Sequence, residues 1–403
     1  MVKVLWMTDS PYSPSGYGIM GRNILKRLVK AGHEVHAVGL NHMEGKVKVE
    51  DGYWVHPRYV DPHGFDILGG YIKQLKPDVL ITVKDIGLQA GYVPTVEKLR
   101  KEGFNFKWYG YCPIDSKTVT FDWVDVFKAM DKVIAMSEWS AKMIKEQAGI
   151  DSITIPGGVD TELFKPFTES EKEEVRKDKA FSSAFVIGTN GRNQYRKMWN
   201  KLIKGYSIFC KDKIDTMLLF HCDVSGNSAS DGWDWRYLGV KYDCESKMQP
   251  TFANLNAGTR FWVSDEDMVR IYNNFDIFAF STGGEGFGVP ILEAMSCGLP
   301  VATTAFTTGF ELVEGHGELI DVTKDKYGDG VFWEGQNGVE FAIPDERSVA
   351  EKLQKLYDSW KGDKKLIKEY SEKSREHALK YDWDKAIIPL WIKLITEQPS
   401  QRK

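Results

Sequence analysis

The chain alternates short apolar runs with longer amphipathic stretches from its first residues. "VKVLWMT" reads as a strand, "DSPYSPSGYG" as a Gly/Pro/Ser loop, "IMGRNILKRLVKAG" as a helix stopped at Gly32, and "HEVHAVGL" as a second strand. The same alternation returns in "YIKQLKPDVLITVKD", "NFKWYGYCPID" and "KAMDKVIAMSEWSAKMIKEQAG". Buried strands alternating with helices predict a parallel, doubly wound sheet. From Lys165 to Lys179 the chain is charged and shows no strand pattern, and "SAFVIGTN" then starts a new buried strand. A second series follows, with "TMLLFHCD", "RFWV", "FDIFAFST" and "LPVATTAF" as strands and "WNKLIKGYSIFCKD" and "DEDMVRIYNNF" as helices. The expected organisation is two α/β Rossmann-like domains, residues 1–170 and 180–380, facing across a cleft. A last segment, 381–403, carries Pro389, which kinks or restarts its helix, and is expected to cross back to the first domain.

Length agrees with this division: 403 residues exceed one ordinary core at about 100 to 200 residues per domain. A hydrophobic share of 42% and a charged share of 27% are ordinary for a soluble globular chain. The net charge of −4 gives no polyanion footprint, so nucleic-acid binding is disfavoured unless a local basic patch supplies it. Five scattered cysteines without C-x-x-C spacing predict neither a disulfide framework nor a zinc site, which fits a reducing compartment. "MVKVLWMTDS" reads as strand and turn rather than a leader, and no apolar run approaches the about 18 residues of a membrane span. The expected setting is the cytoplasm, with peripheral contact at the inner membrane face as the alternative. Aromatic residues make up 13% of the chain, most of them expected in the core.

The densest chemistry is in "STGGEGFGVPILEAMSCGLPV", residues 281 to 301. A buried strand enters a glycine loop, and Val289, Pro290 and the residues after them start a helix capped near Gly298. Backbone N–H groups beside Gly286, Phe287, Gly288 and Val289 form a site suited to phosphate oxygens. Glu293 leans toward the helix start and is expected to accept hydrogen bonds from a ribose diol, with no buried partner of its own. Glu285, in the loop, suits hydroxyls or developing positive charge. The plainer alternative is a tight turn with Glu285 solvated and Glu293 favoured by the helix dipole.

Cations come from "GTNGRNQYRKMWNKL", where Arg192 follows a strand and Lys197 lies five residues on; Arg196 is an adjacent alternative. Arg forks onto phosphate oxygens and Lys acts as a point charge. Gly16 and Gly18 in "SPSGYG" would let backbone approach the same phosphates, unless they only make a turn. In "RFWVSDEDMVRIY", Ser264 is a predicted N-cap, and core packing is the plain reading of Trp262. No acid or histidine cluster has metal-ligating spacing. His33 and His36 read as structural.

"EGFGVPILE" resembles the paired-glutamate signature of the retaining, GT-B fold glycosyltransferases of family 4. "AGHEVHAV", "KPDVLIT", "DKVIAMSEWSAKMI" and "IPGGVDTELFKP" are similar to other stretches of that family, in the expected order along nearly the whole chain. The resemblance implies a GT-B architecture and a retaining hexosyltransferase needing no metal or cofactor. Its co-substrate would be a UDP, GDP or ADP sugar and its acceptor a hydroxyl on a glycan, glycolipid or small molecule. It implies that Arg192 and Lys197 bind the diphosphate, that Glu285 and Glu293 form the paired-acid site, and that the loop of Gly16 and Gly18 lies near the donor. The nucleobase would sit by Trp262 and Val263. Family members commonly carry a histidine where this chain has "WYGYCPIDSKTV", leaving Asp115 either to accept a sugar hydroxyl and assist the acceptor or to cap a turn. Two other functions compete: a nucleotide-sugar-binding sensor or scaffold without catalysis, and an enzyme glycosylating a modified nucleic-acid base. Nothing in the chain sets an oligomeric state.

Overall fold

The computed structural model describes residues 1–13, 15–40, 51–177, 179–222, 232–251, 263–335 and 338–397. The chain divides into two units. Unit 1 comprises Met1–Ile114, Thr118–Gly158 and Tyr381–Lys403; unit 2 comprises Asp115–Lys117 and Val159–Lys380.

Unit 1 holds seven strands: β1 (Lys3–Thr8), β2 (Glu34–Gly39), β3 (Trp54–Pro57), β4 (Val79–Val83), β5 (Lys107–Cys112), β6 (Lys132–Ala135) and β7 (Ile153–Thr154). They pair in parallel in the order β3-β2-β1-β4-β5-β6-β7. The middle strands are apolar on both faces because helices cover both; all five residues of β4, "VLITV", are buried. The helix Gly16–Lys30 returns the chain to β2 and ends at Gly32, whose φ of +87° is the left-handed turn that favours glycine.

The C-terminal segment belongs to this unit. A π-helical turn, Trp383–Ile387, runs without a break into the α-helix Ile388–Thr396, with Pro389 at the junction of the two. Trp391 is fully buried, with its ring centroid 5.5 Å from Trp6 and 5.0 Å from Tyr111. Arg27 grips Asp384 through two bonds of 2.9 Å.

Unit 2 repeats the plan. Its sheet contains β8 (Phe185–Asn190), β9 (Thr216–His221), β10 (Met248–Pro250), β11 (Ile277–Phe280), β12 (Val301–Thr304) and β13 (Glu318–Ile320), in the order β10-β9-β8-β11-β12-β13. An antiparallel pair, β14 (Phe332–Glu334) and β15 (Glu340–Ala342), stands apart from it. The stretch before β8 is not featureless: Glu169–Arg176 is helical, with Thr168 and Glu171 closing a capping box. Arg176 ties that helix to Asp276 at 3.0 Å and to the Asn274 carbonyl at 2.7 Å. Among the described residues, Trp6, Trp108, Trp199, Trp235, Trp383 and Trp391 are fully buried core residues.

In both sheets the strand order reverses direction beside the first strand, between β1 and β4 and between β8 and β11. Open parallel sheets bind ligands outside the carboxyl ends of the strands at that point.

Candidate functional site

Two loops leave the carboxyl ends of β8 and β11, the adjacent strands at the reversal in unit 2. After β8 the chain folds into a tight 3₁₀ turn, Tyr195–Lys197, with Met198 at a φ of +49° before the helix Trp199–Cys210. This turn directs Lys197 inward, where it is 7% exposed. Its Nζ is 2.5 Å from Glu285 Oε1 and 5.1 Å from the centroid of Phe280. Burial draws the Lys197 pKa down to about 8; Glu285 opposes that shift and Arg196 adds to it.

Glu285 is fixed from several sides. Thr282 Oγ1 donates to its Oε1 at 2.7 Å, its own N–H donates to Thr307 Oγ1 at 3.0 Å, and Thr308 Oγ1 donates to its carbonyl at 2.6 Å. Burial alone would raise the Glu285 pKa, but the charges of Lys197 and Arg196 outweigh it and hold the carboxyl below its ordinary range. Arg196 donates to the Gly284 carbonyl, lies 3.5 Å from Glu285 Oε1, and pairs through Nε with Asp115 at 3.3 Å. Asp115 therefore joins the cluster, partnered by an arginine. Arg192 is exposed in the loop after β8, and among the described residues no ion pair ties it to this cluster.

The structure brings forward two glycines that the sequence reading passed over. A Cβ on Gly284 would stand 1.9 Å from the Asp115 carbonyl oxygen, and one on Gly283 would stand 2.9 Å from that of Ala342. Close backbone approach demands glycine at both positions. Gly288 has a φ of +90° and starts the helix Val289–Ser296, with Phe287 buried before it and Gly286 and Val289 half-buried.

Glu293 differs from expectation in one respect. It is 9% exposed, and the fully buried Tyr272 donates to its Oε2 at 2.8 Å; Asn190, at the end of β8, donates to the same tyrosine oxygen at 3.0 Å. The acid thus has a buried partner, because the helix Asp265–Asn273 packs its tyrosine beneath it. Burial and the nearby carboxylate push the Tyr272 pKa well up, keeping its hydroxyl a donor. That helix is capped as expected, Ser264 Oγ accepting from the Asp267 N–H at 3.1 Å. Val263 is half-buried just before the cap, and Trp262 lies outside the described residues, as does most of the expected strand around it.

In unit 1, Ser15 Oγ accepts the Gly18 N–H at 3.1 Å, and a Cβ on Gly18 would lie 2.4 Å from the Ser13 carbonyl oxygen. The turn itself therefore explains Gly18, and its N–H is already bonded; a Cβ on Gly16 would meet open space. Sequence reasoning missed Asp9 and Lys84, which follow β1 and β4 and stand 2.5 Å apart, both largely buried. The available signal was a charged residue directly after an apolar strand run, in "VLWMTD" and "LITVKD". His36 is structural, with Nδ1 3.0 Å from His56 Nε2 and its ring stacked on Trp54. Among the described residues no group of three or more His, Cys, Asp or Glu could hold a metal ion, and no helix is long and apolar enough to cross a membrane.

The family model for glycosyl transferases group 1 matches residues 171–376, just over half of the chain. The chain belongs to that family. Lys197, Arg196, Glu285 and Glu293 all fall within the stretch that matches the group 1 glycosyl transferases, and Asp9, Lys84 and Asp115 outside it. Among curated relatives, the mannosylfructose-phosphate synthase of Agrobacterium fabrum is 25% identical over 182 residues, which cover 44% of this chain and 38% of that protein. The chain spans about half or less of the length of the curated relatives it matches first. Among solved structures, the sucrose-phosphate synthase of Thermosynechococcus elongatus superposes with a TM-score of 0.74 at 16% identity, over 97% of each chain. Anabaena HepE, solved with UDP and glucose, gives 0.69 at 14% identity, over 98% of this chain and 99% of its own. The two parallel-sheet α/β units are those of the GT-B fold.

Proposed function

We propose that the chain is a retaining glycosyltransferase that moves a hexose from a nucleotide-diphospho-sugar to an acceptor hydroxyl. The observation that carries this reading is the buried Lys197–Glu285 pair at the carboxyl ends of β8 and β11, within the stretch matched by the family. A departing diphosphate gains negative charge as the glycosidic bond breaks, and a preorganised cation in a dry site stabilises that charge strongly. Lys197 is such a cation, and Glu285 opposes the loss of its proton on burial. Arg192, exposed in the same loop, and Arg196 supply further donors. Glu293 takes the ribose hydroxyls, and Asp115 takes a hydroxyl of the transferred sugar. The backbone at Gly286 to Val289 faces the phosphates. These charges serve without a catalytic metal, so turnover persists in a chelator.

The structural neighbour holding UDP and glucose supports a UDP sugar as the first donor to test. Incubation with UDP, GDP and ADP hexoses and measurement of free nucleotide identifies the donor, because slow hydrolysis proceeds without an acceptor. Proton NMR of the fresh product then reads the anomeric configuration, which is expected to match that of the donor. An inverted product removes the retaining mechanism and makes Asp115 the candidate general base. Release of nucleotide from none of the donors removes the transferase reading.

A further inference from the structure

One pocket in unit 2 has no part in the proposed transfer. It is a cavity of about 330 Å³ lined by Tyr195, Met198, Asn200, Lys201, Trp233, Trp333 and Ile343, within the range of about 300 to 1,000 Å³ typical of small-molecule sites. Tyr195 and Met198 flank Arg196 and Lys197 in the chain, so the turn that points Lys197 at Glu285 also presents side chains to this pocket.

Its walls are supported. Asn193 clamps the backbone of Trp233 from both sides, accepting its N–H at 2.9 Å and donating to its carbonyl at 2.7 Å. Trp233 meets Tyr195 edge to face, with centroids 5.0 Å apart and rings at 89°. Trp333 is 40% exposed and backed by the stacked ring of Phe341 at 5.6 Å. Lys201 is held by Glu346 at 2.8 Å. Two of the lining residues each carry a buried polar atom, Trp233 Nε1 and Asn200 Oδ1, with no hydrogen-bond partner among the described residues. One is a donor and the other an acceptor.

We propose that this pocket is a saccharide subsite that seats one pyranose ring, distinct from the Lys197–Glu285 cluster. A pyranose presents apolar C–H faces to aromatic rings and hydroxyls that both donate and accept, which suits a lining of three aromatic rings with an asparagine and a lysine. A flat nucleobase fits less well: perpendicular rings at 89° form a corner, and one plane cannot stack on both. The subsite holds whether or not the neighbouring cluster transfers sugar.

The test uses the full chain without nucleotide. Methyl α-glucoside, methyl α-mannoside and short gluco- and manno-oligosaccharides are titrated by calorimetry and saturation-transfer NMR. Tighter binding of the oligosaccharides identifies a glycan chain as the occupant, and equal binding identifies a single sugar. Trp333→Ala and Trp233→Phe are each expected to weaken saccharide binding about tenfold, the scale of one good aromatic contact or hydrogen bond, while leaving UDP affinity unchanged. Trp333 is part-exposed, so its variant keeps the fold and decides the matter if Trp233→Phe does not. Failure of every saccharide to bind, binding insensitive to both variants, or displacement of the sugar by uridine overturns the proposal. Donor hydrolysis is assayed separately, so failure of the subsite is distinguishable from failure of the transferase reading.

Discussion

Lys197 and Glu285 reach each other from two adjacent strands, their charged atoms 2.5 Å apart with both side chains 8% exposed. Removing two charges from water is costly, and their attraction offsets that cost only because Thr282 and Arg196 also serve the carboxylate. Such a pair is weak evidence for stability and better evidence for a cation held ready. Its protonation is therefore the first thing to measure.

With Lys197 at about 8, the side chain is charged below that pH and neutral above it. The kcat/KM for donor, which reports the free enzyme, is expected to fall as pH rises through about 8. Bound diphosphate adds negative charge beside the lysine and raises its pKa, so the corresponding limb in kcat lies at higher pH. Rate profiles across the neutral and alkaline range check both limbs. A kcat/KM that stays flat there removes Lys197 as the required cation.

Glu285→Gln keeps the shape of the partner and removes its charge. Burial and Arg196 then act on Lys197 with Asp115 as the remaining opposing charge, and the alkaline limb of kcat/KM is expected to move to lower pH. Lys197→Ala is expected to lower kcat by about 10² to 10³ and to change donor affinity much less, as for other transition-state donors. A raised KM with unchanged kcat reassigns the lysine to uniform binding.

The units can be separated by where a substitution acts. Arg176→Ala leaves Asp276 without its paired arginine and is expected to cost about 2 to 3 kcal/mol, below the about 3 to 5 kcal/mol of a fully buried pair, because the side chains retain 14% and 18% exposure. Trp391→Ala opens a cavity against Trp6 and Tyr111 and is expected to cost about 3 to 5 kcal/mol. Urea unfolding followed by probes in each unit should show the first variant shifting only unit 2 and the second only unit 1.

Much of this was legible. Continuous apolar runs marked β4, β8 and β11, and glycines with a helix start marked the Glu285 loop, because both are local patterns. The helix Glu169–Arg176 reads in the sequence only as a charged stretch without strand pattern, although Thr168 and Glu171 spell a capping box; none of its residues is buried, so it lacks an apolar stripe. Short strands such as β7, with two residues, and the β14–β15 pair carry too few positions for a period to show. The site was harder to read where tertiary contacts decide it. No spacing reveals that Arg196 rather than Arg192 meets Asp115, or that Gly284 must be glycine because a carbonyl from residue 115 presses on it.

Glu293 joins both kinds of information, and its role can be isolated. Its Oε2 accepts from Tyr272, which in turn accepts from Asn190, so the acid anchors a buried chain, and the proposed ribose contact is a second role for the same carboxylate. Glu293→Ala disturbs both functions at once and cannot separate them. Tyr272→Phe removes the hydroxyl that bonds Glu293 and Asn190 and leaves the carboxylate charge in place; it is expected to cost about 1 to 3 kcal/mol of stability and to leave nucleotide affinity nearly unchanged. Glu293→Gln keeps an oxygen for Tyr272 but replaces a charged acceptor with a neutral amide. It is expected to weaken UDP or GDP binding about tenfold or more, the scale of a hydrogen bond to a charged group. Calorimetric titration of both variants, with urea unfolding alongside, reads the two effects separately. If Glu293→Gln binds nucleotide as the parent does while Tyr272→Phe is destabilised, Glu293 is a structural anchor and the ribose assignment fails.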